Sequence, residues 1–415
     1  MWYYTRITYS LMKIDTNKDK IEELLTRSVA EILPTKDGLR EALESGRRLR
    51  IYIGTDATGT SLHLGHATNY MILEKLRRMG HEIIFLVGDF TARIGDPTDK
   101  GDSARKQLTR EQVIANVETW IAQVKPVIDV NNKDNPVQVL YNHDWLAALT
   151  FEDVLNLASN FTVQQMIERD MFQERIQSNK PLYLQELFYP LMQGYDSVAM
   201  DVDVEMCGTD QKFNALAGRT LLKKLKNKEK FVFITTLLEN PVTKEKMMSK
   251  SLGTGVFLDF DADKMYGAVM AQADENMKQL FTDCTWLDLT DIDTILETEN
   301  PRDAKMRLSF EITTIFHGEE LATLAEKNFV QTFQKKELPD EIPVFVALDG
   351  ATIIDVLVDS NLVASKAEAR RTLSQGGVKV NGTKLTEADA TTPLSLSEKT
   401  IVQKGKRSFL EVVRK

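Results

Sequence analysis

The chain has 415 residues, 42% hydrophobic and 27% charged, enough for two or three domains with separate cores. A net charge of −9 argues against a generic nucleic-acid-binding surface, and two cysteines without a CxxC pair exclude a disulfide framework and a cysteine-held zinc site. That cysteine usage makes a reducing cytoplasm the expected location, and no apolar run approaches the length of a membrane span.

The charge is unevenly spread. Residues 351–415 hold 11 Lys+Arg against 7 Asp+Glu, whereas the first 350 hold 41 against 54. A basic end module on an acidic body points to a polyanion held at the C-terminal end. The opening "MWYYTRITYSLMKID" is interrupted by Arg6 and several hydroxyls, unlike a signal peptide, and translation is expected to begin at Met12.

In chain order, an amphipathic helix follows Met12. Asp15 or Thr16 is the expected cap, and Ile21, Leu24, Leu25, Val29 and Ile32 form one apolar stripe. Apolar runs at 48–54, 82–88, 136–142, 202–208 and 230–238 read as buried strands. Between them lie helical patterns at 64–80, 103–124 and 210–225. "LYLQELFYPLMQGYD" (182–196) also has helical period, which puts Tyr189, Gln193 and Asp196 on one face. This alternation implies βαβ units and a parallel sheet, with ligands at the carboxyl ends of strands, where Gly54, Gly88 and Gly208 lie. After residue 260 the pattern is helical only; Pro339 and Pro343 mark a linker. The last module reads as a helix, "SKAEARRTLSQGG", then a hairpin turning at Asn381-Gly382.

"TSLHLGHATNY" places two of only five histidines, His63 and His66, at the mouth of a helix. Metal ligation lacks a third ligand nearby, and an ordinary pair of surface histidines competes with a phosphate-binding helix N-terminus. A second stretch, "EKMMSKSLGTG" (245–255), sets Lys246 and Lys250 in a Ser/Gly loop able to close on phosphates. Neither a Walker motif nor GxGxxG is present, and two phosphate-binding stretches on one sheet suggest a nucleotide lying across it.

"HLGH" with "MSKS" resembles the paired signatures of class I aminoacyl-tRNA synthetases. "GTDATGTSLHLGH", "GDFTARIGDP", "LMQGYD", "GTDQ" and "NPRDAKMRL" are similar to the bacterial tyrosyl-tRNA synthetase family, from about Leu49 onward. Residues 351–415 resemble its S4 RNA-binding module. The resemblance implies a Rossmann-like parallel-sheet catalytic domain (1–240, with the N-terminal helices), a mobile lysine loop and helical anticodon-binding domain (241–335), a linker (336–350) and a small α+β S4-like domain (351–415). It implies a ligase for tRNA(Tyr), L-tyrosine and ATP with Mg2+, working as a homodimer.

Carried over position by position, Thr58 and His63 would bind the terminal phosphate of ATP and His66 its ribose and phosphate region. Gly54, Asp56 and Gly208 would line the nucleotide, Asp210 would hold its ribose, and Lys250 with Lys246 would hold pyrophosphate. Tyr52 and Asp196 would meet the phenol hydroxyl of tyrosine; Asp96, Tyr189 and Gln193 its ammonium; Gln211 its carboxylate. Lys366, Arg370, Arg371 and Lys379 would contact tRNA phosphates.

The chain departs from the family pattern at several positions. Aligned on the last four residues, Met247 occupies the place of the first loop lysine, so that either the loop carries an extra residue, with Lys246 or Lys244 in that role, or the lysine is absent; "DAT" replaces "DPT", and Cys207 replaces a common glycine. The more highly charged "GDPTDKGDSAR" leaves Lys100 and Arg105 without an assigned role. The run "LLKKLKNKEK" (221–230) is expected to be a solvated helix face. The tryptophan enzyme and a decayed, RNA-binding relative are the competing readings.

Overall fold

The computed structural model describes residues 13–96, 108–240, 247–248, 255–334, 342–348, 350–394, 400–405 and 408–414. The chain divides into two units, Met1–Thr323 and Leu324–Lys415.

The first unit is built on a six-stranded sheet of β1 (Val29–Leu33), β2 (Arg50–Thr55), β3 (Glu82–Val87), β4 (Gln138–Tyr141), β5 (Val204–Gly208) and β6 (Phe231–Thr235). Their order is β1-β6-β5-β2-β3-β4. Strands β2 to β6 pair in parallel, as the apolar runs imply, because helices on both faces leave little room for polar side chains. The chain steps from β2 to β4 in one direction and returns to lay β5 and β6 on the other side of β2. The strand order therefore reverses between β2 and β5, and a crevice opens beyond their carboxyl ends.

The apolar stripe from Ile21 to Ile32 is split rather than continuous. Helix Lys18–Thr26 buries Ile21, Leu24 and Leu25, and its cap is Asn17, not Asp15 or Thr16; the Asn17 side chain accepts from the Lys20 N–H at 3.0 Å. The chain turns through Ser28 at φ +59°, and β1 adds antiparallel to β6. The open edge of β6 needs hydrogen-bond partners, and a continued helix has none to offer.

Helices Ala262–Met270, Met277–Cys284, Leu289–Thr298 and Pro301–His317 follow, as the helical pattern predicts. Met265, Phe281, Leu308 and Ile312 join one core with Ile53, Leu64 and Leu76 of the sheet layer. Asn300 caps the last of these helices, accepting from the Asp303 N–H at 3.1 Å, with Pro301 in the first turn where a missing N–H costs nothing.

The second unit holds a five-stranded sheet, β7 (Val344–Ala347), β8 (Val378–Val380), β9 (Thr383–Lys384), β10 (Thr400–Lys404) and β11 (Ser408–Arg414), ordered β7-β11-β10-β8-β9. Helices Ile353–Asp359 and Lys366–Ser374 pack with it around Ile353, Leu357, Leu373 and Val402. The expected hairpin is present: Asn381 and Gly382 sit at φ +49° and +82°, the two positive values a type I′ turn requires. Residues 344–347, inside the stretch read as a linker, are a strand paired in parallel with β11.

Candidate active site

The "HLGH" stretch leaves β2 and opens helix Leu64–Arg78 with His63 at its cap. The His63 N–H donates to His66 Nδ1 at 3.2 Å, and the two rings lie 3.9 Å apart. Gly65 allows this: a Cβ there would sit 3.1 Å from His63 Cε1. Burial lowers the pKa of His66 to about 4, so a neutral imidazole faces the helix mouth at neutral pH although part of the residue's surface stays exposed. The preceding loop is pinned by the polar face of helix Arg110–Val124. Asn116 Nδ2 donates to the Ala57 carbonyl (2.8 Å) and Gln123 Nε2 to the Thr60 carbonyl (2.7 Å), leaving Thr58 exposed.

The second signature borders the first. The Leu64 N–H donates to the Val256 carbonyl (3.1 Å) and the Leu258 N–H to the Leu62 carbonyl (2.9 Å). Met247 and Met248 are buried, and the Met247 N–H donates to the Leu238 carbonyl at 3.1 Å. Position 247, which the family gives to a lysine, is thus a core position here. Gly255 turns at φ +123° against Met248. Lys246 and Lys250, like Lys100 and Arg105, lie outside the described residues.

Across the β2–β5 crevice, helix Leu184–Met200 presents Tyr189, Gln193 and Asp196 on one face, as its period implies. A continuous chain of hydrogen bonds ties Tyr189 and Asp196 to the strand ends. The Tyr189 hydroxyl donates to Asp56 Oδ2 (2.9 Å), Thr91 Oγ1 donates to Asp56 Oδ1 (2.7 Å), and Asn142 Nδ2 donates to Thr91 Oγ1 (3.0 Å) and to Asp196 Oδ2 (3.3 Å). Trp145 Nε1 completes it with a 2.7 Å bond to Asp196 Oδ1. Burial raises the pKa of Asp196 well above the ordinary carboxylate range, against the pull of Trp145 and Asn142. Gly88 is required where it stands, since a Cβ would lie 1.9 Å from Asp56 Oδ1. Gln211 Nε2 donates to Asp96 Oδ2 at 2.7 Å, at the mouth of the same crevice.

Tyr52 on β2 is 1% exposed; its hydroxyl and Ser197 Oγ are 3.0 Å apart. Gln193 Nε2 donates to Glu205 Oε1 at 2.9 Å. Exposed Asp210 folds back over Gly208, where a Cβ would meet its Oδ1 at 2.7 Å. Neither Thr209 nor Asp210 caps helix Lys212–Lys226: a 3-10 turn, Thr209–Gln211, leads into it instead. Exposed Gly54 sits at the end of β2. In the second unit Lys366, Arg370, Arg371 and Lys379 are all exposed, on the helix and hairpin expected for them.

Sequence reasoning missed Thr91, Asn142, Trp145, Glu205 and Lys230. "YNHDWL" carried a signal, an amide and an indole next to the end of an apolar run. Lys230 corrects the reading of the lysine run: its neighbours 223–226 are exposed, but Lys230 is 0% exposed and ion-paired with Glu205.

A family model described as class I tRNA synthetases (W and Y) matches residues 44–334. A second, described as the tyrosine–tRNA ligase SYY-like C-terminal domain, matches residues 334–412. The tyrosine–tRNA ligase of Carboxydothermus hydrogenoformans is 39% identical over 97% of this chain and 99% of its own. That of Moorella thermoacetica is 40% identical over 93% and 94%. The chain belongs to the tyrosine–tRNA ligase family of class I tRNA synthetases. Its fold is also that of the C-terminally truncated mitochondrial tyrosyl-tRNA synthetase of Coccidioides posadasii, with TM-score 0.61, 24% identity, and coverage of 75% of this chain and 92% of that one. The Archaeoglobus fulgidus enzyme crystallised with L-tyrosine gives a TM-score of 0.56 at 18% identity, covering 75% and 100%.

Proposed function

We propose that the protein joins L-tyrosine to tRNA(Tyr) in two steps. A tyrosine carboxylate oxygen attacks the α-phosphorus of ATP; the bond to the β-phosphate oxygen breaks and pyrophosphate leaves with the electron pair. A ribose hydroxyl of the terminal tRNA adenosine then attacks the tyrosyl carbonyl carbon, gives up its proton, and AMP leaves. Neither step needs a nucleophile from the protein; catalysis rests on positioning and on stabilising phosphate charge.

The observation that carries this reading is the hydrogen-bonded chain from Tyr189 through Asp56, Thr91 and Asn142 to Asp196, which spans the crevice beside the His63–His66 turn. In this reading Tyr52 and Asp196 hold the phenol hydroxyl, Asp96, Tyr189 and Gln193 the ammonium group, and Gln211 the carboxylate. Thr58, His63 and His66 stabilise the phosphates, Gly54, Asp56 and Gly208 line the nucleotide, and Asp210 takes its ribose. Lys250 and Lys246 hold pyrophosphate. Magnesium enters with the triphosphate as part of the substrate.

The 351–415 module serves as an S4-like tRNA-binding domain, with Lys366, Arg370, Arg371 and Lys379 against the phosphates. Exposed apolar side chains such as Phe151, Leu155, Val163 and Leu184, left for a partner copy to bury, support a homodimer. No helix among the described residues is long and apolar enough to cross a membrane, and the tRNA pool puts the enzyme in the cytoplasm.

The test is amino-acid-dependent ATP–pyrophosphate exchange without tRNA, with tyrosine, tryptophan and phenylalanine in parallel. Exchange with tyrosine alone is expected. Exchange with tryptophan instead would assign the protein to the sister enzyme, and exchange with none would leave an RNA-binding protein without catalysis.

A further inference from the structure

Beneath the tyrosine pocket lies an ion pair outside the stretches that carry the family resemblance. Lys230 at the start of β6 is 0% exposed and Glu205 on β5 is 1% exposed; the Lys230 ammonium donates to Glu205 Oε2 and, at 2.9 Å, to Ser197 Oγ. Space for it is built in. A Cβ on Gly218 would lie 2.6 Å from Lys230 Nζ and 2.8 Å from Ser197 Oγ, and a Cβ on Gly194 of the facing helix would lie 3.2 Å from the Gly218 nitrogen. An uncompensated buried charge is among the costliest defects in a protein, and a hydrophobic filler would have been as stable. The pair therefore calls for a reason beyond stability.

Hydrogen-bond polarity supplies one. A lysine ammonium only donates, so Ser197 Oγ must accept from it and keeps one proton to give. Two acceptors are in reach: the Tyr52 oxygen at 3.0 Å and Glu205 Oε2 at 3.5 Å, the limit of a hydrogen bond. The Tyr52 contact is the shorter by 0.5 Å, which favours it as the acceptor. A Tyr52 oxygen that accepts from Ser197 has its own proton left to give. The other carboxylate oxygen of Glu205 works similarly on Gln193: as an acceptor it draws the amide NH2 at 2.9 Å and leaves the amide oxygen free to receive an ammonium group.

We propose that Lys230 and Glu205 are positioning residues for the amino acid: through Ser197 they make Tyr52 a donor toward the substrate hydroxyl, and directly they turn the Gln193 carbonyl toward the substrate ammonium. This rests on the tyrosine-pocket reading above. A phenol oxygen accepts from Tyr52 while its proton goes to Asp196, which Trp145 and Asn142 hold as an acceptor against the burial that favours its protonated form. Phenylalanine matches neither group.

The experiment is pyrophosphate exchange with tyrosine and phenylalanine on the wild type, on Ser197→Ala, on Glu205→Met/Lys230→Met, and on all three changes together. Ser197→Ala leaves the ion pair in place, so folding is not at stake. It is expected to raise KM for tyrosine about tenfold, the worth of one hydrogen bond, with KM for ATP unchanged and the preference for tyrosine over phenylalanine reduced. The double variant, an apolar filling of similar volume, is expected to fold with the wild-type circular dichroism spectrum and lose selectivity at least as much. Adding Ser197→Ala to it should then change little, since the serine's proton no longer has an imposed direction. Wild-type exchange together with unchanged tyrosine KM and selectivity in Ser197→Ala overturns the proposal, whatever the double variant does. No tyrosine exchange by the wild type overturns instead the reading on which it rests.

Discussion

Asn142→Ala tests the hydrogen-bonded chain at its most connected point. Asn142 is 1% exposed and fully engaged: Oδ1 accepts from the Phe90 N–H at 2.9 Å, and Nδ2 donates to Thr91 at 3.0 Å and Asp196 at 3.3 Å. Alanine removes all three bonds and leaves the Phe90 N–H and one Asp196 oxygen short of a partner. A net hydrogen bond is worth about 0.5–1.5 kcal/mol, more when one partner is charged, and an orphaned buried group costs about 1–3 kcal/mol. The sum is about 3 kcal/mol, shared between stability and substrate binding. Trp145 still holds Asp196, so the fold should survive, while Thr91 loses the donor that orients it toward Asp56. We expect a lower urea midpoint and a tyrosine KM in pyrophosphate exchange raised about tenfold or more. A variant with wild-type urea midpoint and a tyrosine kcat/KM within about twofold of wild type would refute the idea that this chain shapes the pocket.

Gly88→Ala places a methyl group 1.9 Å from Asp56 Oδ1 and 2.4 Å from Thr91 Oγ1. The displaced carboxylate should release Tyr189, and exchange activity should fall at least about a hundredfold from loss of two bonds to a charged group, with the circular dichroism spectrum retained. His81 is 0% exposed, and burial, aided by Arg48, lowers its pKa from the ordinary 6.5 to about 4. A folded-state pKa below the unfolded one means the unfolded chain takes the proton first. The stability this group contributes is present above pH 6.5 and is lost as pH falls toward 4. Urea unfolding of His81→Gln between pH 7 and 4 should show a flatter pH dependence than the wild type. Replacing Lys366, Arg370, Arg371 and Lys379 with glutamine should weaken tRNA binding and lower the salt dependence of its Kd, while tyrosine-dependent pyrophosphate exchange stays unchanged.

Much of the site was legible because its residues cluster in short segments. His63 and His66 share one helical turn with Gly65, and Tyr189, Gln193 and Asp196 share one helix face, so local spacing alone puts them together. Asn142 and Lys230 were not legible. Asn142 contacts Thr91, 51 residues away, and Lys230 contacts Ser197, 33 away, and each sits where the local pattern suggests an ordinary polar residue. A buried lysine four residues beyond a lysine-rich helix cannot be told from its solvated neighbours by composition.

The sequence by itself determined the five parallel strands, four of the helices between them and the order of the functional motifs. Apolar runs of strand length and period-3.6 faces are local consequences of burial, and they hold whatever their neighbours are. Tertiary structure decided the remainder. Val29 and Ile32 continue a helical stripe in sequence but form β1, because the unpaired edge of β6 offers hydrogen bonds that a helix does not use. Val344–Ala347 is a strand in the stretch that reads as a linker, for the corresponding reason at β11. The strand order, set by the return of β5 to the side of β2, brings Tyr52 and Glu205 within hydrogen-bond reach of Ser197 on the covering helix.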